Sequence, residues 1–160
     1  MMNDLLLAAF SMIAQSTANC TQSGDGVPLE VEVDGWKDRA GRVRVELYPD
    51  NDRDFLADDG KLLAAGKTFR RVDVATPQSP RVSLCIMAPA AGRYALVVLH
   101  DRDGNHKFGL VPDGVGFGGN PKLGFSKPKA EAASVTVSPG GTRTRVVLNY
   151  RRGLSMRPLE

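Results

Sequence analysis

The sequence predicts a single all-β domain, and three observations carry that reading. Apolar and polar residues alternate with a period of two through several short runs. Gly, Pro, Asp and Asn clusters punctuate those runs at short intervals, and no stretch shows three turns of an amphipathic helix. Period two places alternate side chains on opposite faces of a strand, so each run reads as a half-buried strand. A chain of 160 residues has one-domain length, and an apolar fraction of 42% is enough to bury a core.

Leu29, Val31 and Val33 alternate with Glu30, Glu32 and Asp34, and after the turn Asp38-Arg39-Ala40-Gly41 the residues Val43, Val45 and Leu47 alternate with Arg42, Arg44 and Glu46. The two runs read as a β-hairpin. Residues 50–61 are polar and acidic, which predicts a loop with at most one helical turn, anchored by Phe55 and Leu56. A strand is expected over 67–74, and Thr76-Pro77-Gln78-Ser79-Pro80 then breaks the chain. Val82, Leu84 and Ile86 alternate again, and Tyr94–Leu99 is apolar on both faces, the mark of a central strand. Residues 101–129 are rich in Gly and Pro, show no period and are expected to form a long loop. Strands over 133–137 and 144–150 flank the turn Ser138-Pro139-Gly140-Gly141, and residues 152–160 are expected to form a flexible tail. About seven short strands with frequent turns argue for a sandwich over residues 29–151.

Residues 1–18 contain one acid, Asp4, no base, an apolar run from Leu5 to Ala14, and small residues at Ser16 and Ala18. That is the shape of a secretory signal peptide cut after Ala18, which leaves residues 19–28 as a mature N-terminal segment in the periplasm or outside the cell. A membrane span needs about 20 apolar residues, more than this run offers. A lipoprotein acylated at Cys20 is the rival, with Asn19 a poor residue before it. Two cysteines, Cys20 and Cys85, read as a disulfide in an exported chain, with two free thiols as the alternative. No C-x-x-C motif is present, which argues against a redox catalyst.

The net charge of +3 is small and scattered, and it excludes the concentrated basic face of a nucleic-acid binder. The late cluster Arg143, Arg145, Arg151, Arg152 and Arg157 reads as a solvated strand face and tail.

The segment from Pro89 to Phe108, with Gly92-Arg93-Tyr94-Ala95-Leu96-Val97-Val98-Leu99-His100-Asp101-Arg102-Asp103-Gly104-Asn105 at its centre, and the element Gly114-Val115-Gly116-Phe117 resemble the bacterial family called domain of unknown function 2141. The resemblance covers about residues 29–151 and is specific between Gly92 and Phe117. It implies an exported antiparallel β-sandwich of the immunoglobulin or transthyretin-like kind, with no assigned activity. The chain departs from the family pattern at Gly109, where an acid is usual, and at Gly118-Gly119, where Ser-Asn is usual.

Three constellations carry candidate chemistry. Asp101, Asp103 and Asn105 alternate oxygen-bearing side chains, which suits Ca²⁺. The Gly falls at the fourth place, however, and Phe108, Gly109 and Pro112 add no side-chain oxygen, so turn chemistry is the preferred reading. His100, Asp101, Asp103 and His106 could hold a transition metal for an enzyme, but strand parity sends His100 and Asp101 to opposite faces. Tyr94, two residues after Gly92, reads as a tyrosine corner. Three motif matches lack their setting. Pro128 breaks Ser126-x-x-Lys129, Gly114-x-Gly116-x-Gly118 lacks a following helix, and Asn19-Cys20-Thr21 lies at the cleavage edge. Trp36, the only Trp, could stack on a sugar, though capping the core edge is commoner.

These readings converge on a non-enzymatic exported binding or accessory module with no cofactor required. A protein or glycan at the cell envelope is the expected partner. A ligand loop is expected over 100–120, with His100, His106, Phe117 and Asn120 as candidates. The rivals are a metal-dependent enzyme or Ca²⁺ module built on residues 100–106, and a structural or adhesion subunit that pairs through an edge strand.

Overall fold

The computed structural model describes Cys20 and residues 25–160; the expected signal peptide and its cleavage site lie outside the described residues. Ten strands form two sheets: β1 (Val27–Asp34), β2 (Arg42–Pro49), β3 (Arg70–Ala75), β4 (Val82–Ala88), β5 (Gly92–Asp101), β6 (Gly114–Phe117), β7 (Ser134–Val137), β8 (Thr142–Val147), β9 (Asn149–Arg152) and β10 (Ser155–Arg157). One short helix, α1 (Asp59–Ala64), and a 3₁₀ turn at Ala130–Ala133 complete the elements. The Asp58 carboxylate caps α1 by accepting from the Lys61 N–H at 2.9 Å.

The smaller sheet has the order β4-β1-β8, and the larger runs β10-β9-β6-β5-β2-β3, with β7 pairing β5 beside β6. Strand β5 holds β2 along one edge, and on the other holds β7 at its start and β6 at its end. Between the sheets lies one core: Leu29, Val31 and Val33 of β1 and Leu84 and Ile86 of β4 meet Val43, Val45 and Leu47 of β2 and Leu96 and Val98 of β5. Burial of that apolar surface is the main favourable term in folding. The chain is nearly all β, in the two layers that the alternation predicts.

Several expectations need correction. Strands β1 and β2 do not form a hairpin; β1 pairs β4 and β8, while β2 pairs β3 and β5 in the other sheet. Alternation gives each strand one apolar face, and two such faces can meet across a core as well as lie side by side. The chain turns between layers at Gly35, whose φ of +76° suits glycine. The pairing is not wholly antiparallel, because β8 crosses from β7 to the smaller sheet and runs parallel to β1. The described residues hold ten strands rather than about seven. The long loop contains β6, and the expected closing strand is broken into β8 and β9. The expected flexible tail contains β10, which pairs with β9.

Cys20 and Cys85 are joined, with Cα atoms 5.3 Å apart. Cys85 lies at the centre of β4, so the bond ties the N-terminal segment to the free edge of the smaller sheet.

Candidate functional site

Parity along β5 sorts the candidate residues. Leu96, Val98 and His100 face the inner core, whereas Val97, Leu99 and Asp101 face outward. His100 is fully buried. Its Nδ1 lies 2.7 Å from the Tyr150 hydroxyl and its Nε2 lies 2.8 Å from the Ala40 carbonyl. A carbonyl only accepts, so Nε2 carries the proton and Nδ1 accepts from Tyr150. The Tyr150 oxygen in turn accepts from the Lys37 N–H at 3.1 Å. Burial holds the His100 pKa below 6.5, and burial pushes the Tyr150 hydroxyl up to about 12. The group is a satisfied buried network. Trp36 closes its edge, 4.8 Å from the imidazole centroid, with its Nε1–H on the Val33 carbonyl and Arg39 over its ring. Trp36 therefore caps the core.

His106 stands apart from His100. Its imidazole is largely exposed, with Nδ1 3.7 Å from Asp73. Among the described residues, the group of acids and histidines close enough to share an ion is Asp101, Asp103 and Asp113, and neither histidine belongs to it. Asp101 and Asp113 are buried, and each clamps backbone. Asp101 accepts from the N–H groups of Asn105 and His106 at 3.2 and 2.8 Å. Asp113 accepts from those of Arg102 and Gly109 at 2.9 and 2.7 Å. Asn105 donates its amide to Asp103, and its side-chain oxygen accepts from the Lys107 N–H. The arrangement is an Asx-type turn with each buried carboxylate oxygen already on an N–H. Asp113 stands one residue past the twelfth position of the loop, off the ligand spacing, and the fold brings it to Asp101 and Asp103.

The remaining candidates also have assigned contacts. Tyr94 donates to the Ala90 carbonyl at 2.7 Å and accepts from the Ala90 N–H at 3.3 Å, which is the corner its position predicts. Asn120, at φ 49°, bonds the Val147 N–H and the Arg145 carbonyl, so its amide acts as a short extension of the sheet along β8. Gly114 and Gly116 allow close packing. A Cβ at Gly114 would stand 2.5 Å from the Tyr150 ring, and one at Gly116 would stand 2.5 Å from Val146 and 2.9 Å from the Val147 carbonyl. The glycine-rich element thus packs closely, Gly114 on the neighbouring strand β9 and Gly116 on β8 of the other sheet, and is not a phosphate cradle. The late arginines are mostly engaged locally: Arg143 pairs with Glu30, Arg145 with Asp34, and Arg152 bonds the Pro158 and Leu159 carbonyls.

The outward faces of β5 and β6 carry a second apolar cluster. Tyr48, Phe55, Ala95, Val97, Phe117, Ala130 and Ala133 pack there, outside the sandwich core. Next to it opens a pocket of about 450 Å³. Its floor is Val97 and Leu99 of β5, Val115 and Phe117 of β6, and Glu46 of β2. Phe108 and Leu110, the wall segment from Leu123 to Pro128, Leu56 and Met156 complete the lining. The lining is overwhelmingly apolar, and Phe108, Leu110 and Phe125 remain exposed. Glu46 accepts from Arg71 Nε at 2.6 Å and from the Tyr48 hydroxyl at 2.7 Å, so its charge is compensated on the floor. Burial next to this carboxylate raises the Tyr48 pKa.

Three of the edge strands carry charge: β3 has Arg70, Arg71 and Asp73, β8 has Arg143 and Arg145, and β10 has Arg157, whereas the short β7, which pairs only β5, has none. The edge strand of the smaller sheet, β4, is also uncharged and holds the disulfide. No helix among the described residues is long and apolar enough to cross a membrane.

A two-layer β protein with the Gly92–Phe117 signature thus places its motif residues in turns and packing contacts. The model of the family DUF2141, described as an uncharacterised protein conserved in bacteria, matches residues 31–145. The chain belongs to that family. No curated protein and no solved structure matches it.

Proposed function

We propose that the protein is an exported, non-enzymatic binding module that takes a small apolar molecule in the pocket on the outer face of the larger sheet. The observation that carries this reading is the pocket itself. Its volume falls in the range of small-molecule sites, about 300–1,000 Å³, and few polar groups meet there. Water held against such a surface is displaced favourably by an apolar ligand. Exposed Phe108, Leu110 and Phe125 around the mouth would otherwise be a cost in solubility.

Export is supported by the apolar run from Leu5 to Ala14 and by the Cys20–Cys85 bond, which suits an oxidising compartment. The sandwich is of the immunoglobulin or transthyretin-like kind; two sheets around one core and the Tyr94 corner support this. The non-enzymatic assignment rests on the histidines. His100 is sealed in the core and His106 is at the surface, so the grouping that a metal-dependent enzyme would need is not assembled.

The test is a titration with the neutral apolar fluorophore N-phenyl-1-naphthylamine. Saturable enhancement is expected, weakened about tenfold by Leu110→Asp, which replaces an exposed wall residue. Enhancement that does not saturate, or that Leu110→Asp leaves unchanged, overturns the reading.

A further inference from the structure

We infer that the pocket selects an amphiphile with one anionic headgroup, a carboxylate held by the Lys127 ammonium over an apolar tail; this rests on the pocket reading above. Lys127 belongs to the wall segment and lines the pocket. Its Nζ donates to the Phe55 carbonyl at 2.7 Å and to the Asp52 carbonyl at 3.4 Å, and it sits 5.7 Å from the centroid of the Phe55 ring. An ammonium has three N–H donors, so one remains for a ligand.

The charges around the pocket are unequally matched. Glu46, the lining carboxylate, is already held by Arg71 and Tyr48, with Arg44 3.9 Å away. Lys127 has no carboxylate within ion-pair distance among the described residues, unlike Lys67, which pairs with Asp54 at 2.8 Å. The carboxylate of Asp52 is turned to the backbone, where it accepts from the Ala130 N–H at 2.8 Å. The cation on the wall is therefore the uncompensated charge, and an anion complements it. A single spare donor suits a monoanion, whereas a phosphate dianion calls for several cations or N–H groups. The two carbonyl bonds fix the ammonium in place, which lowers the ordering cost of capture.

The test is displacement of N-phenyl-1-naphthylamine from the full chain by decanoate, decanol and decyltrimethylammonium at neutral pH. Decanoate is expected to displace the probe about fivefold better than decanol, the advantage of a partly exposed ion pair. Lys127→Gln should abolish that difference, and Lys127→Arg should keep it. Saturable probe binding by Lys127→Gln shows that its pocket is intact. Equal displacement by decanoate and decanol overturns the headgroup assignment and leaves the pocket reading standing. Stronger displacement by decyltrimethylammonium also overturns it and makes Glu46 the governing charge. Absence of saturable probe binding removes both readings.

Discussion

Replacing Tyr150 by Phe removes one oxygen atom and leaves the ring seated against Gly114. The lost hydroxyl donates to His100 Nδ1 at 2.7 Å and accepts from the Lys37 N–H at 3.1 Å. His100 is fully buried, so its Nδ1 cannot turn to water once the donor is gone. A buried acceptor left without a partner costs about 1–3 kcal/mol, and the Lys37 N–H, only partly buried, regains some solvent. The expected loss is therefore about 2 kcal/mol. For a chain of this length each kcal/mol moves Tm by about 2–4 °C, so Tm should fall by roughly 4–8 °C. Urea unfolding at neutral pH measures the free energy, and the slope with denaturant should be unchanged because the exposed surface is the same. Pairing Tyr150→Phe with His100→Leu closes a double-mutant cycle. Much of the Tyr150 penalty should vanish in the double variant, giving an interaction of about 1 kcal/mol or more. A Tyr150→Phe variant within about 0.5 kcal/mol of the parent, or strictly additive penalties, would refute the assigned network.

Three further predictions follow from the same contacts. Burial lowers the His100 pKa below 6.5, so the unfolded chain takes up a proton first and stability should decline as pH falls below about 6.5. Asp38, held down by its bond from Arg102, and Asp73, where Arg42 and Arg44 overcome the opposing effect of burial, extend the loss below about pH 4. Chemical denaturation across that range reads both phases, and a stability that rises on acidification contradicts the assignment. Reduction of the Cys20–Cys85 bond, which spans 65 residues, should cost about 4 kcal/mol on the chain-entropy model, measured as the shift in urea midpoint with and without reductant. Gly116→Ala would drive a Cβ against Val146 and the Val147 backbone, and should destabilise by about 1–3 kcal/mol in the same assay.

Much of the architecture was legible because β strands write their burial into alternate residues. The continuous apolar run of β5 announced a strand covered on both faces, and it contributes to both apolar clusters. Parity alone sent His100 and Asp101 to opposite faces, and the fold makes the His100 face the inner one. What alternation cannot tell is which strands lie side by side, so β1 and β2 read as a hairpin although they belong to different sheets. Strand β6 stayed hidden in the expected loop because its inward positions are Gly114 and Gly116, which have no side chain to show a period. The turn chemistry of Asp101, Asp103 and Asn105 was readable from spacing, whereas Asp113 joins it only through the fold. The pocket was the least legible feature. Glu46, Val97, Leu110, Leu123 and Met156 come from distant parts of the chain, and nothing in local spacing links them. The available signals were the outward apolar positions of β5 and the apolar residues Phe108, Leu110 and Phe125 inside a polar, Gly-rich segment.

The most direct test of the pocket is a methyl ¹H–¹³C titration of the protein with decanol. Saturable shifts confined to Leu56, Val97, Leu99, Leu110, Val115, Leu123 and Met156 are the predicted result, with the methyls of the inner core at Val31, Val45 and Leu84 unmoved. Shifts that fail to saturate, or that fall elsewhere while the pocket methyls stay still, would contradict a ligand site on this face.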